Sequence, residues 1–135
     1  TDQLNNDGLG FVEKHVRETG GTLQTVLVNK FTRITLAGIG SAERITLDFN
    51  ISFSTVDSAA IELQYLAIAE LKSNGYPRKS DFTQAVREMR IMPTGFSKYC
   101  IGTALLKDIP RKNILKPKLL LLKRIENEYL KYCSS

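Results

Sequence analysis

Between Arg44 and Ile51 the chain alternates without a fault: Ile45, Leu47, Phe49 and Ile51 take one set of positions, Arg44, Thr46, Asp48 and Asn50 the other. A period of two fits a β-strand and no helix, because successive strand side chains leave on opposite faces. The pattern predicts one apolar face packed on a dry core and one polar face turned to solvent or to a wet lumen. Upstream, Thr25 to Leu36 is rich in Val, Ile, Thr and Phe, residues that suit a pleated segment. Its alternation sets Val26, Val28, Lys30, Thr32 and Ile34 against Leu27, Asn29, Phe31, Arg33 and Thr35. A turn over residues 37–42, with Gly38 and Gly40, joins these segments as a hairpin. A third extended run goes from about Ile61 to Lys72, with Glu70 and Lys72 on one face of its end. Gly75 and Pro77, in a loop over residues 73–79, stop it.

The flanks read as helices. Residues 8–19 form an amphipathic helix capped by Asp7, striped with Leu9, Val12 and Val16, and ended by Gly20-Gly21. His15, the only histidine, points away from that stripe and reads as a surface residue. Ser80 caps a helix with Phe82, Ala85, Val86 and Met89 on one side, ending before Pro93. Another runs from near Ser97 to about Lys107, and Pro117 suits the first residue of a final helix that reaches about Tyr132. Strands first and helices afterwards make the class α+β with an antiparallel sheet. The expected organisation is a single domain over 1–135, with a helical lead-in over 1–22, strands over 23–74 and helices over 78–135.

A chain of 135 residues with 42% hydrophobic and 24% charged content has the balance of a folded domain, which excludes wholesale disorder. The longest aliphatic run, Leu119 to Leu122, is far below the roughly 18 apolar residues of a membrane span. The polar start, Thr1 to Asn6, lacks the basic opening of a signal peptide. Cys100 and Cys133 have no metal-ligand spacing and read as small core residues, which agrees with a reducing, cytoplasmic setting. Charge is unevenly placed: residues 1–77 hold 6 basic and 9 acidic groups, residues 78–135 hold 13 and 5. A basic half of this kind is either a solvated helix surface or the footprint of a polyanion, and charge alone does not choose.

Three polar features could carry chemistry, and each has a plain structural reading beside it. Arg33 and Arg44, on neighbouring strands, are either exposed sheet residues or ligands for an anion. Glu70 and Lys72 are either a rim ion pair, worth about 0–1 kcal/mol, or a carboxylate for a divalent ion beside an ammonium for phosphate oxygens. In Gly95-Phe96-Ser97-Lys98-Tyr99-Cys100, Ser97 caps its helix, and a helix start bearing Ser and Lys also suits an anion. No aromatic platform is interleaved with the basic residues, so nucleic acid is not expected as a partner.

Four segments occur in order: Val28-Asn29-Lys30-Phe31-Thr32-Arg33, Glu43-Arg44-Ile45-Thr46-Leu47-Asp48, Glu70-Leu71-Lys72, and Phe96-Ser97-Lys98-Tyr99-Cys100-Ile101-Gly102. Together, from about Val26 to Ala104, they resemble the VTC domain family of polyphosphate polymerases, within the triphosphate-tunnel (CYTH-like) superfamily. The resemblance implies a β-tunnel lined with basic groups that passes the γ-phosphate of ATP to a growing polyphosphate chain. It implies that Arg33, Arg44, Lys72 and Lys98 act in catalysis and, with Ser97, meet phosphate oxygens. Glu70 would hold a divalent metal, Mn or Mg, with ATP as substrate. Phe31, where the family usually has tyrosine, would offer substrate its ring without the hydroxyl. The chain then corresponds to the C-terminal half of such a domain, part of a tunnel-like barrel followed by packed helices. Expected partners are nucleotide and polyphosphate, together with a missing N-terminal half or further copies of the chain. Alone, it should have little or no polymerase activity. The parent protein would be a cytoplasmic phosphotransferase, open to membrane association. The alternatives are a non-catalytic polyanion-binding module and a triphosphatase of the same superfamily.

Overall fold

In a computed structural model, which describes residues 6–15, 24–39, 42–74, 80–110 and 112–134, the two alternating segments form an antiparallel hairpin. Strand β1 (Val28–Ala37) pairs with β2 (Glu43–Ser54), from Val28 opposite Ser54 to Ala37 opposite Arg44. The Gly38 N–H closes the turn on the Glu43 carbonyl at 2.9 Å. The extended run that follows divides in two. β3 (Ile61–Leu63) and β4 (Ile68–Ser73) are separated by a turn in which the Leu66 N–H donates to the Leu63 carbonyl at 3.1 Å. Both pair antiparallel with the second edge of β2, β3 beside residues 51–53 and β4 beside residues 43–48. The resulting four-stranded sheet is open, with β1 along one edge. The described residues form no closed tunnel.

The alternation of β2 does not run through the strand. Asn50 takes φ 52°, in the left-handed region that Asn tolerates better than most residues. The register slips between Lys30 and Thr32, so that Asn50 and Ile51 together oppose Phe31. One extra residue in a strand reverses the face of every side chain beyond it. Ile51 and Phe53 therefore join Thr46 and Asp48 on one side of the sheet, and all four are buried.

That side is also where two of the helices pack. Helix α1 (Asn6–His15) precedes the sheet; α2 (Asp81–Glu88) and α3 (Lys98–Leu106) follow it, then a 3₁₀ turn (Lys112–Leu115) leads into α4 (Lys116–Cys133). The core joins Ile51, Phe53, Leu63 and Leu66 to Ile101 of α3 and Leu122 of α4. Gly102 permits the contact, since a Cβ there would stand 2.6 Å from the Phe53 ring. The expected division into an apolar face on the helices and a polar face in water is thus corrected. Thr46 and Asp48 lie on the helix side, whereas Ile34 and Leu36 of the opposite face are 46% and 51% exposed. The bulge at Asn50 is the cause, because it carries Ile51 and Phe53 to the side on which α3 docks.

Of the smaller expectations, some change and some hold. α1 starts at Asn6, which places Asp7 in its first turn rather than at its cap; His15 is exposed and stacks on Phe11, ring centroids 4.2 Å apart. The side chains of Leu9 and Val12 in the expected stripe, together with Val16, Gly20-Gly21, Gly40, Gly75 and Pro77, fall outside what the structure describes. Ser80 stands at the cap of α2, but its hydroxyl donates to Glu43 Oε2 at 3.1 Å. Pro117 is the second residue of α4, not the first. Cys100 and Cys133 are free and exposed rather than core residues; on α3 it is the next residue, Ile101, that turns to the sheet. No helix among the described residues is long and apolar enough to cross a membrane.

Candidate anion site on the polar sheet face

Directly opposed residues of an antiparallel pair share a face. Arg33 lies opposite Asp48, Ala37 opposite Arg44, Arg44 opposite Lys72, and Thr46 opposite Glu70. Arg33, Arg44, Glu70 and Lys72 therefore project from one side of three strands, with Thr46 and Asp48 between them on β2. Lys98, the first residue of α3, reaches the same side and meets Asp48. Five expected residues, scattered from position 33 to 98, come to one surface.

Asp48 organises its centre. Arg33 donates through Nε to Oδ1 at 2.6 Å and through Nη2 to Oδ2 at 2.7 Å, while Lys98 Nζ donates to Oδ2 at 2.5 Å. Such a side-on fork fixes both the position and the plane of the guanidinium. The Asp48 side chain is 3% exposed, whereas those of Arg33 and Lys98 are 42% and 20% exposed. The carboxylate is thus the floor, and both cations retain further N–H donors above it. Arg33 beside Asp48, and Lys98 with it, hold that carboxyl at about 2 against the opposing effect of burial. The Arg33 guanidinium is held charged in turn, by its bonds to Asp48 first and by the nearby Glu70 carboxylate least. Phe31 supports both cations: its ring centroid is 5.0 Å from the Arg33 guanidinium carbon and 4.7 Å from Lys98 Nζ.

Around this centre the groups are looser. Lys72 Nζ and Glu70 Oε1 are 3.5 Å apart, with both side chains more than half exposed. Ser97 accepts the Cys100 N–H at 3.3 Å and so caps α3, the plainer of its two readings, while placing Lys98 in the first turn. Among the described residues no three His, Cys, Asp or Glu side chains cluster to hold a metal. Glu70 offers a single carboxylate, a set that suits a Mg ion arriving on a phosphate chain better than a resident ion. A depression lined by Asn50, Ile51, Ser52, Glu62, Gln64 and Tyr129 has no basic side chain and does not suit phosphate.

Asp48 is the residue the motifs did not single out. Its sequence signal was slight, one carboxylate beside Arg44, Thr46 and Asn50 at the polar positions of β2, and its role needs the pairing with Arg33 to be seen.

A family model described as the VTC domain matches residues 9–107. No curated protein and no solved structure matches the chain.

Proposed function

The chain belongs to the VTC domain family, and from that premise we propose that its polar sheet face is the phosphate-binding part of an ATP-dependent polyphosphate polymerase domain. One observation carries the reading: Arg33, Arg44, Glu70, Lys72 and Lys98, from four separate segments, share one side of the sheet. Phosphoryl transfer asks a protein mainly to position the chain and to neutralise the charge that develops on it. Arg33 and Lys98, anchored on Asp48, present fixed donors to one group of phosphate oxygens. Arg44 and Lys72, opposed across β2 and β4, present a second cationic pair. A divalent ion, when bound, would be held by Glu70 and would neutralise charge on the phosphates.

The open edges of the sheet leave room for further strands that close a tunnel over this face. A non-catalytic polyanion-binding role is the second reading, favoured by the single carboxylate at the metal position. The two separate on Glu70. In the catalytic reading Glu70→Gln abolishes the Mg-dependent part of ATP binding, measured by calorimetry with and without Mg. If that variant binds ATP and polyphosphate like the unsubstituted chain under both conditions, the metal role fails and the passive groove stands. With no closed tunnel among its described residues, the isolated chain should make little or no polymer from ATP in a polyphosphate-dye assay.

A further inference from the structure

The Thr46 hydroxyl lies amid this face with no hydrogen-bond partner among the described residues, although the atom is shut off from solvent and the residue is 6% exposed. Burial of a hydroxyl without a partner is unfavourable and needs a reason. Valine has nearly the same shape, suits a strand at least as well and carries no such penalty. The reason is not local packing, since a methyl would pack there equally. Thr46 is flanked on its own strand by Arg44 and Asp48, and across the sheet by Thr35 and Glu70. Neither neighbouring carboxylate accepts its O–H: Asp48 is bonded to Arg33 and Lys98, and Glu70 stands largely in solvent beside Lys72.

We propose that Thr46 is a phosphate-contact residue, whose hydroxyl donates to an oxygen of the bound chain between the Arg33–Lys98 and Arg44–Lys72 pairs. This rests on the reading of the face as a phosphate site. Glu70 and Lys72, beside Thr46 and largely in solvent, are long enough to turn toward an incoming Mg-bearing phosphate chain and uncover the hydroxyl. An O–H is suited to the place because it adds a donor at short range where an oxyanion is surrounded by cations, without adding charge.

The test is Thr46→Val, with Thr46→Ser as the partner variant, in calorimetric titrations with tripolyphosphate and Mg. Thr46→Val should melt at the same temperature or higher, yet bind about tenfold more weakly, as loss of one charge-assisted hydrogen bond requires. Thr46→Ser should restore binding to near that of the unsubstituted chain. Binding by Thr46→Val equal to that of the unsubstituted chain would overturn the proposal. So would a clearly lower melting temperature, because the hydroxyl would then have a partner in the free protein. Failure of the unsubstituted chain to bind tripolyphosphate at all would instead remove the phosphate reading on which the proposal rests.

Discussion

The two ends of β2 bury the same face of one strand by opposite means. Beyond Asn50, Ile51 and Phe53 lie against α3 in an ordinary apolar core. Before it, Thr46 and Asp48 are buried almost as well, yet Asp48 is covered by an arginine and a lysine. At the first end burial stabilises the fold through area removed from water. At the second, a carboxylate taken out of water is tolerated because both of its oxygens are bonded to cations. The first end therefore sets how firmly the fold holds, and the second sets where its positive charge points.

The most damaging way to break this division is at the apolar end. Phe53→Ala should cost about 3–5 kcal/mol, by loss of ring burial and the cavity left behind, read by urea unfolding. Its effect on phosphate binding in the fraction that remains folded should be small. A comparable loss of binding would mean that the ends are not separable.

Asp48→Asn comes next, at about 2 kcal/mol, because two cations lose their anchor while keeping access to water. The same group fixes an acid limb. Its folded carboxyl is depressed to about 2, so its stabilising effect is present above the usual carboxylate range, near pH 4, and is lost as pH falls through about 2. Unfolding measured between pH 5 and pH 2 should show that limb in the parent chain and a flatter profile in Asp48→Asn. Identical profiles would remove the carboxylate from the account.

Asn50→Val tests the joint between the ends. A β-branched residue at φ 52° is strained, by about 1–2 kcal/mol, and restoring strict alternation would turn Ile51 and Phe53 away from α3. Greater stability in this variant would show that the bulge is not needed. The smallest effect is expected at the rim, where Lys72→Met should shift stability by less than about 0.5 kcal/mol, since its partner Glu70 is as exposed as it is. A larger loss would mean that the Glu70–Lys72 pair helps hold β4 in place.

How legible each feature was in the sequence follows from how local its cause is. The hairpin, the shared face of Glu70 and Lys72 and the Ser97 cap all depend on neighbours along the chain, and the residue pattern shows them. The bulge does not, because Asn50 fits the alternation as well as any polar residue; only pairing with β1 reveals the extra residue. The turn between Leu63 and Ile68 was hidden in the same way, inside a run with no glycine or proline to mark it. Asp48 looked like one more wet side chain until Arg33 was found opposite it. The helices after the sheet begin and end close to where the sequence marks them, unlike α1, whose expected Asp7 cap falls inside the helix. The side of the sheet that α3 and α4 cover is a tertiary fact.

The central claim is that the cations on this face form one binding surface rather than part of a general positive charge. Titration of tripolyphosphate into the chain, followed by calorimetry, tests it most directly against single variants of equal charge change. Arg33→Ala and Lys98→Ala should each weaken binding about tenfold or more, while Lys123→Ala, on α4, should change it less than about twofold. Equal losses at all three positions would mean that net charge alone attracts the anion, and the account would be wrong.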